Sequence, residues 1–248
     1  MRYSGYVICA TPRSGSTLLC DLLTATRAAG HPQSHLRVQD ISGWAKQWGV
    51  AEPRASSAPP THQAFLAAMV LAGTADTAMF GLRLMWPTVY EATERFNAAR
   101  GGKMDLPSRL EQEIGATLFI QLSRDDKVAQ AVSLVRAEQT GLWHVHADGS
   151  ERQRTAPPRA PVFDPDRIAQ AHRTLSNEKT EWSRFFERHG IAPLRLRYED
   201  LAANPPRVLA ETLTALGLDP AHAIGVNART ARMADATGGA WTSKMMPD

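Results

Sequence analysis

Short unbroken apolar runs alternate along this chain with longer segments of helical period. Gly5-Tyr-Val-Ile-Cys-Ala10 and Thr117-Leu-Phe-Ile-Gln-Leu122 are runs of the kind buried on both faces of a parallel sheet. Thr77–Leu84 and Pro193–Tyr198 read as two further strands. Helical spacing fills the gaps between them. Ser16–Arg27 sets Leu18, Leu19, Leu22 and Leu23 on one face, and Pro165–His189 aligns Ile168, Leu175, Trp182 and Phe186, with Gly190 as C-terminal cap. Helices are also predicted over residues 61–72, Pro87–Ala99 and Asp125–Gln139. A last one is capped by Asn204, turns Val208, Leu209, Leu213 and Leu216 inward, and is ended by Gly217. Residues 30–36, 51–60 and 145–162 read as loops, and the tail from Asn227 to Asp248 shows little periodicity. Strands alternating with helices predict one α/β domain over residues 1–248, P-loop-like, with a central, mostly parallel sheet flanked by helices.

Composition narrows the partners. Of 248 residues, 28 are Lys or Arg and 25 are Asp or Glu, and arginine, whose planar fork fits phosphate and sulfate, dominates the cations. Neither a basic helix nor an aromatic–basic alternation is present, so a small polyanion is the expected ligand and nucleic acid is not. No apolar run reaches the ~18 residues a membrane span needs, and no signal peptide is read at the N-terminus, so a cytoplasmic protein is expected. Cys9 and Cys20 read as buried thiols, and neither a cysteine cluster nor a His-Glu-x-x-His pattern suggests a metal.

Candidate chemistry begins where the first strand runs into the first helix, at Ala10-Thr-Pro-Arg-Ser-Gly-Ser-Thr-Leu18. A small-residue turn at a helix N-terminus offers free amides and a favourable dipole to a phosphate. Ser14, Ser16 and Thr17 add hydroxyls, and Arg13 adds charge. The nucleotide triphosphatase loop would have Gly in place of Ala10 and Lys in place of Ser16, so its arrangement for ATP is absent. A second anion site is expected at Arg124, at the carboxyl end of a strand, with Ser133 on the helix that follows.

Taken together, these segments resemble the sulfotransferases that use 3′-phosphoadenosine 5′-phosphosulfate (PAPS), and more closely the bacterial trehalose 2-sulfotransferase family. The phosphate loop, Gly30-His-Pro-Gln33, Leu84-Met-Trp86, Gln130-Ala-Val-Ser133, Arg136-Ala137 with Gln139-Thr140, and Arg232-Met-Ala-Asp235 with Trp241 follow the order of that family's landmarks. The resemblance implies that Arg13, Ser14, Gly15, Ser16 and Thr17 hold the 5′-phosphosulfate, that Arg124 and Ser133 hold the 3′-phosphate, and that Arg232 is a third cation on the nucleotide. Transfer would go to a carbohydrate or glycolipid hydroxyl without a metal, and the enzyme would be a homodimer. Arg13 would stabilise the leaving group. The family's base is a glutamate that matches Ser34, which cannot accept a proton at neutral pH. His35, and after it His31, are the histidines expected to replace it, since imidazole titrates in the right range. His31, Ser34, His35 and Trp86 would line the acceptor site. A P-loop phosphotransferase and a catalytically silent nucleotide-binding protein are the competing readings.

Overall fold

The computed structural model of the chain describes residues 3–227 and 236–245. Its central sheet is built from β1 (Gly5–Ala10), β2 (Phe80–Met85), β3 (Thr117–Ser123) and β6 (Leu194–Arg197), in the order β2-β1-β3-β6 and parallel throughout. The register brings Ala10 beside both Met85 and Leu122, and Ser123 beside Arg197, so all four strands end along one edge. In an open parallel sheet that edge is where ligands bind.

The period-two alternation of side chains divides the core. Val7 and Cys9 of β1 face one layer with Leu82, Leu84 and Phe119, and Tyr6, Ile8 and Ala10 face the other with Ile120, Leu122 and Leu196. The first layer is covered by α2 (Ile41–Trp48), α3 (Pro59–Thr74), α4 (Val89–Arg100), α5 (Leu106–Ile114) and α7 (Pro165–Arg188). The second is covered by α1 (Ser16–Ala25), α8 (Tyr198–Ala203) and α9 (Pro205–Leu216). A third cluster joins α6 (Lys127–Thr140), α7 and α10 (Ala236–Met245) through Val135, Ile168, Leu175 and the buried Trp241. A buried leucine or phenylalanine contributes about 1.5–3 kcal/mol, so these layers hold the sheet edge in place.

The predicted sheet of mostly parallel strands is observed, with three local departures. The segment read as a loop over residues 145–162 opens with an antiparallel hairpin, β4 (Leu142–Val145) and β5 (Glu151–Arg154). The tail read as aperiodic contains α10. The strand expected from Thr77 begins at Phe80, because Thr77 forms a turn: its Oγ1 donates to the Thr74 carbonyl at 2.8 Å and accepts the Met79 amide at 3.1 Å.

Candidate active site

Residues 11–15 link β1 to α1 at the carboxyl edge, and the loop is fixed from behind. Gln130 of α6 donates through Nε2 to Thr11 Oγ1 at 2.9 Å and to the Pro12 carbonyl at 2.6 Å, while its own Oε1 accepts from Lys127 Nζ at 2.7 Å. Trp182 of α7 donates its indole N–H to the Ala10 carbonyl at 3.0 Å. Gly15 stands at φ +86° with the Tyr198 ring against it, and a Cβ there would lie 2.5 Å from Tyr198 Cδ2. Only glycine meets both conditions without strain. No side chain caps α1, whose first turn also lacks an acidic residue, and its leading amides have no partner within the helix. The Ser14 hydroxyl is fully buried and has no hydrogen-bond partner among the described residues. An unpaired buried hydroxyl costs about 1–3 kcal/mol, and an anion seated on this turn would satisfy it.

Cations surround the open turn. Arg13, at φ +62°, donates from Nε to Ser133 Oγ at 2.9 Å and from Nη1 to the Trp143 carbonyl at 2.5 Å. Burial first, and then the charge of Arg124, lower its pKa to about 10, which leaves it protonated at neutral pH. Arg124 lies with its guanidinium 4.7 Å from the centre of the Tyr198 ring and Nη1 3.5 Å from the Arg13 carbonyl. Arg83 enters from β2, donating from Nε to Ser34 Oγ at 2.8 Å and from Nη1 to Thr17 Oγ1 at 2.9 Å. The hairpin closes the far side. Arg152 of β5 grips the buried Asp21 of α1 with both ends of its fork, one contact being 2.8 Å. His144 of β4 places Nε2 3.2 Å from Thr17 Oγ1. Burial, then Arg13, Arg83 and Arg152, lower the His144 pKa to about 3, so its ring is neutral. The arrangement can hold an anion on α1 amid guanidinium groups from a loop and two strands, with a neutral imidazole beside it.

The Stf0 sulphotransferase family model matches residues 5–248. The chain is 31% identical to the trehalose 2-sulfotransferase of Mycobacterium tuberculosis over 87% of this chain and 85% of that one. With the trehalose 2-sulfotransferase of Mycolicibacterium smegmatis it shares 27% over 88% and 85%. The chain belongs to the Stf0 sulphotransferase family. A sulfotransferase domain from the Synechococcus PCC 7002 olefin synthase aligns over 95% of this chain and 82% of that one, at 16% identity and a TM-score of 0.43.

In this Stf0 sulphotransferase the residues singled out in the sequence fall into three groups. Arg13, Ser14, Gly15, Ser16 and Thr17 form the turn and first helical residues at the sheet edge, with Arg124 beside them. Ser133 joins them as well, yet its hydrogen bond is to Arg13, so the two anion sites read as separate are linked by one guanidinium. Arg232 lies outside the described residues.

On the acceptor side, Ser34 is within reach of the phosphate loop through Arg83. His31 is half-buried, with its Nε2 3.3 Å from Gln33 Nε2, and Trp86 begins the turn after β2, its ring edge-on to Trp182 at 5.2 Å. His35, the residue expected to take the proton, lies apart from Ser34 among aromatic rings. Its ring is 1% exposed and lies 4.8 Å from Trp44 and 5.4 Å from Trp48 between centroids. Burial, followed by the charges of His31 and Arg83, lowers its pKa to about 4. Arg83, His144 and Arg152 of the site were missed. Arg83 had a signal, as a lone charge inside the apolar run Phe-Gly-Leu-Arg-Leu-Met. His144 had none, because a two-stranded hairpin of polar residues leaves no periodic mark.

Proposed function

We propose that this chain transfers the sulfuryl group of PAPS to a hydroxyl of a carbohydrate or glycolipid acceptor. The observation that carries this reading is the uncapped N-terminus of α1, with the orphaned Ser14 hydroxyl and the guanidinium groups of Arg13, Arg83 and Arg124 around it. These groups suit the 5′-phosphosulfate, with Arg124 and Ser133 supplying contacts for the 3′-phosphate. When bound, PAPS supplies the sulfuryl group. The chain's own contribution is to fix the phosphate loop through Gln130 and Trp182, to balance the developing charge with Arg13 and Arg83, and to narrow access with the hairpin. Ser34, His31 and Trp86 line the acceptor side in this reading, and the trehalose acceptor of the two relatives makes a sugar hydroxyl the first candidate.

The test is transfer from radiolabelled PAPS to a panel of disaccharides, alkyl glycosides and glycolipids, with ATP as the alternative donor. Labelled sulfate ester on a sugar is expected. Phosphoryl transfer from ATP with no sulfate transfer would replace this reading with a phosphotransferase.

A further inference from the structure

Ser34 cannot accept a proton and His35 is enclosed by tryptophans, which leaves His31 and groups outside the acceptor loop as the places where the acceptor's proton can go. Ser34, Arg83, Thr17 and His144 form one continuous hydrogen-bonded chain from the acceptor loop across the phosphate loop to the hairpin, with steps of 2.8, 2.9 and 3.2 Å. We propose that Thr17 and His144 form the proton-accepting relay of the sulfuryl transfer, with His144 Nε2 as the place where the acceptor's proton comes to rest. The proposal rests on the sulfotransferase reading above.

Donor and acceptor counting allows the relay in one tautomer of His144. A threonine hydroxyl has one proton and two lone pairs, and a guanidinium only donates. Arg83 therefore occupies one lone pair of Thr17 Oγ1. With the His144 proton on Nδ1, the Thr17 proton points to Nε2, 3.2 Å away, which leaves the second lone pair for a hydroxyl arriving from the Ser34 side. The groups around His144 favour a neutral ring before the donor binds: Arg13 from the phosphate loop, Arg83 from β2 and Arg152 from β5 are cations, and Asp21 of α1 is the opposing carboxylate, already held by Arg152. A neutral ring has a lone pair to offer. The negative charge of the bound donor offsets those cations and makes protonation of the ring easier.

The step balances. The acceptor oxygen forms a bond to sulfur as the bond from sulfur to the phosphate oxygen breaks, and the leaving nucleotide keeps that electron pair. The acceptor's proton moves to Thr17 Oγ1 while Thr17 passes its own to His144 Nε2. The half-buried imidazolium then releases the proton to solvent before the next turnover.

The relay is tested with His144→Gln, Thr17→Val and Thr17→Ser, measuring the pH dependence of transfer from radiolabelled PAPS to trehalose and alkyl glycosides. Calorimetric binding of 3′-phosphoadenosine 5′-phosphate (PAP) is measured alongside. His144→Gln is expected to lower kcat by roughly a hundredfold and to abolish the acid limb of the pH profile, with PAP affinity nearly unchanged. Thr17→Val is expected to follow it in kcat, Thr17→Ser to retain most of the rate, and His146→Gln, on the exposed turn of the hairpin, to behave as the unsubstituted protein. A His144→Gln protein with full rate and an intact acid limb overturns the relay while the sulfotransferase reading stands. An unsubstituted protein that neither binds PAP nor transfers sulfate overturns both.

A measurement on the unsubstituted protein covers the case of variants that fold poorly or a panel without an acceptor. In histidine labelled with nitrogen-15, the ring of His144 is expected to carry its proton on Nδ1, with Nε2 bare, and its pKa is expected to rise when PAP binds. A proton fixed on Nε2, or a pKa that PAP does not raise, overturns the relay.

Discussion

Two neighbouring strands of the sheet, β1 and β3, each run into a helix at the same edge, and the two helix starts are built in opposite ways. At α6 the start is closed by carboxylates. Asp126 accepts the Ala129 amide at 2.8 Å, Glu199 accepts the amides of Asp125 and Asp126 at 3.0 and 3.4 Å, and Arg197 pairs with Asp125 at 2.6 Å. At α1 the cap is a glycine, the first turn holds no acidic residue, and arginines stand around it. Both ends have the same orphan amides and the same dipole. What separates them is whether the protein supplies the anion itself. α6 does and gains stability. α1 leaves the place open, at the cost of a buried hydroxyl without a partner among the described residues.

Substitutions at the two ends should therefore give different kinds of loss. Arg13→Ala at the open end is expected to lower kcat by roughly a hundredfold to a thousandfold, more than it weakens PAP binding, because its charge matters most as the leaving group develops. Steady-state kinetics beside calorimetry would show it, and an unchanged kcat with weaker binding would make Arg13 a ground-state contact. Arg124→Ala should have the reverse effect, weakening PAP by about 2 kcal/mol, near thirtyfold, with little change in AMP affinity. Gly15→Ala introduces a methyl against Tyr198 at positive φ, and should cost about 2 kcal/mol of folding free energy in urea titration as well as nucleotide binding. The smallest effect belongs to the closed end. Asp126→Ala should lower stability by about 1 kcal/mol, as loss of a helix cap does, and leave PAP affinity unchanged. A loss of PAP binding in Asp126→Ala would erase the distinction between the two ends.

How much of this was legible in the sequence depended on how the residues are buried. β1 and β3 are buried along nearly their whole length, so unbroken apolar runs announced them, and the turn between β1 and α1 was marked by its small residues. The β4–β5 hairpin was not legible. Its second strand reads Glu-Arg-Gln-Arg, it is half-exposed, and its register shifts twice, so alternation is lost. That hairpin supplies the Trp143 carbonyl, His144 and Arg152 to the site.

His35 misled for a different reason. Adjacency to Ser34 suggested a shared location, but the chain turns here: the Arg37 amide donates to the Ser34 carbonyl at 3.2 Å, with His35 and Leu36 inside the turn, so the two side chains part. Ser34 turns to Arg83 and His35 to Trp44 and Trp48. Gly30 sets that path, since a Cβ there would lie 2.2 Å from the Met79 carbonyl oxygen.

The central claim is that the open end of α1 and the Arg124 side of the edge hold one ligand with two separate anionic groups. Thermal unfolding with PAP, AMP and ATP, each at the same concentration, tests it most directly. At a hundredfold excess over its dissociation constant PAP contributes ~2.7 kcal/mol, which for a chain of this size raises Tm by roughly 5–10 °C. That shift is expected for PAP, with AMP and ATP far behind, and its fall to about a third in Arg124→Ala. Equal shifts from AMP and PAP would contradict it, because the second phosphate would then find no partner at Arg124.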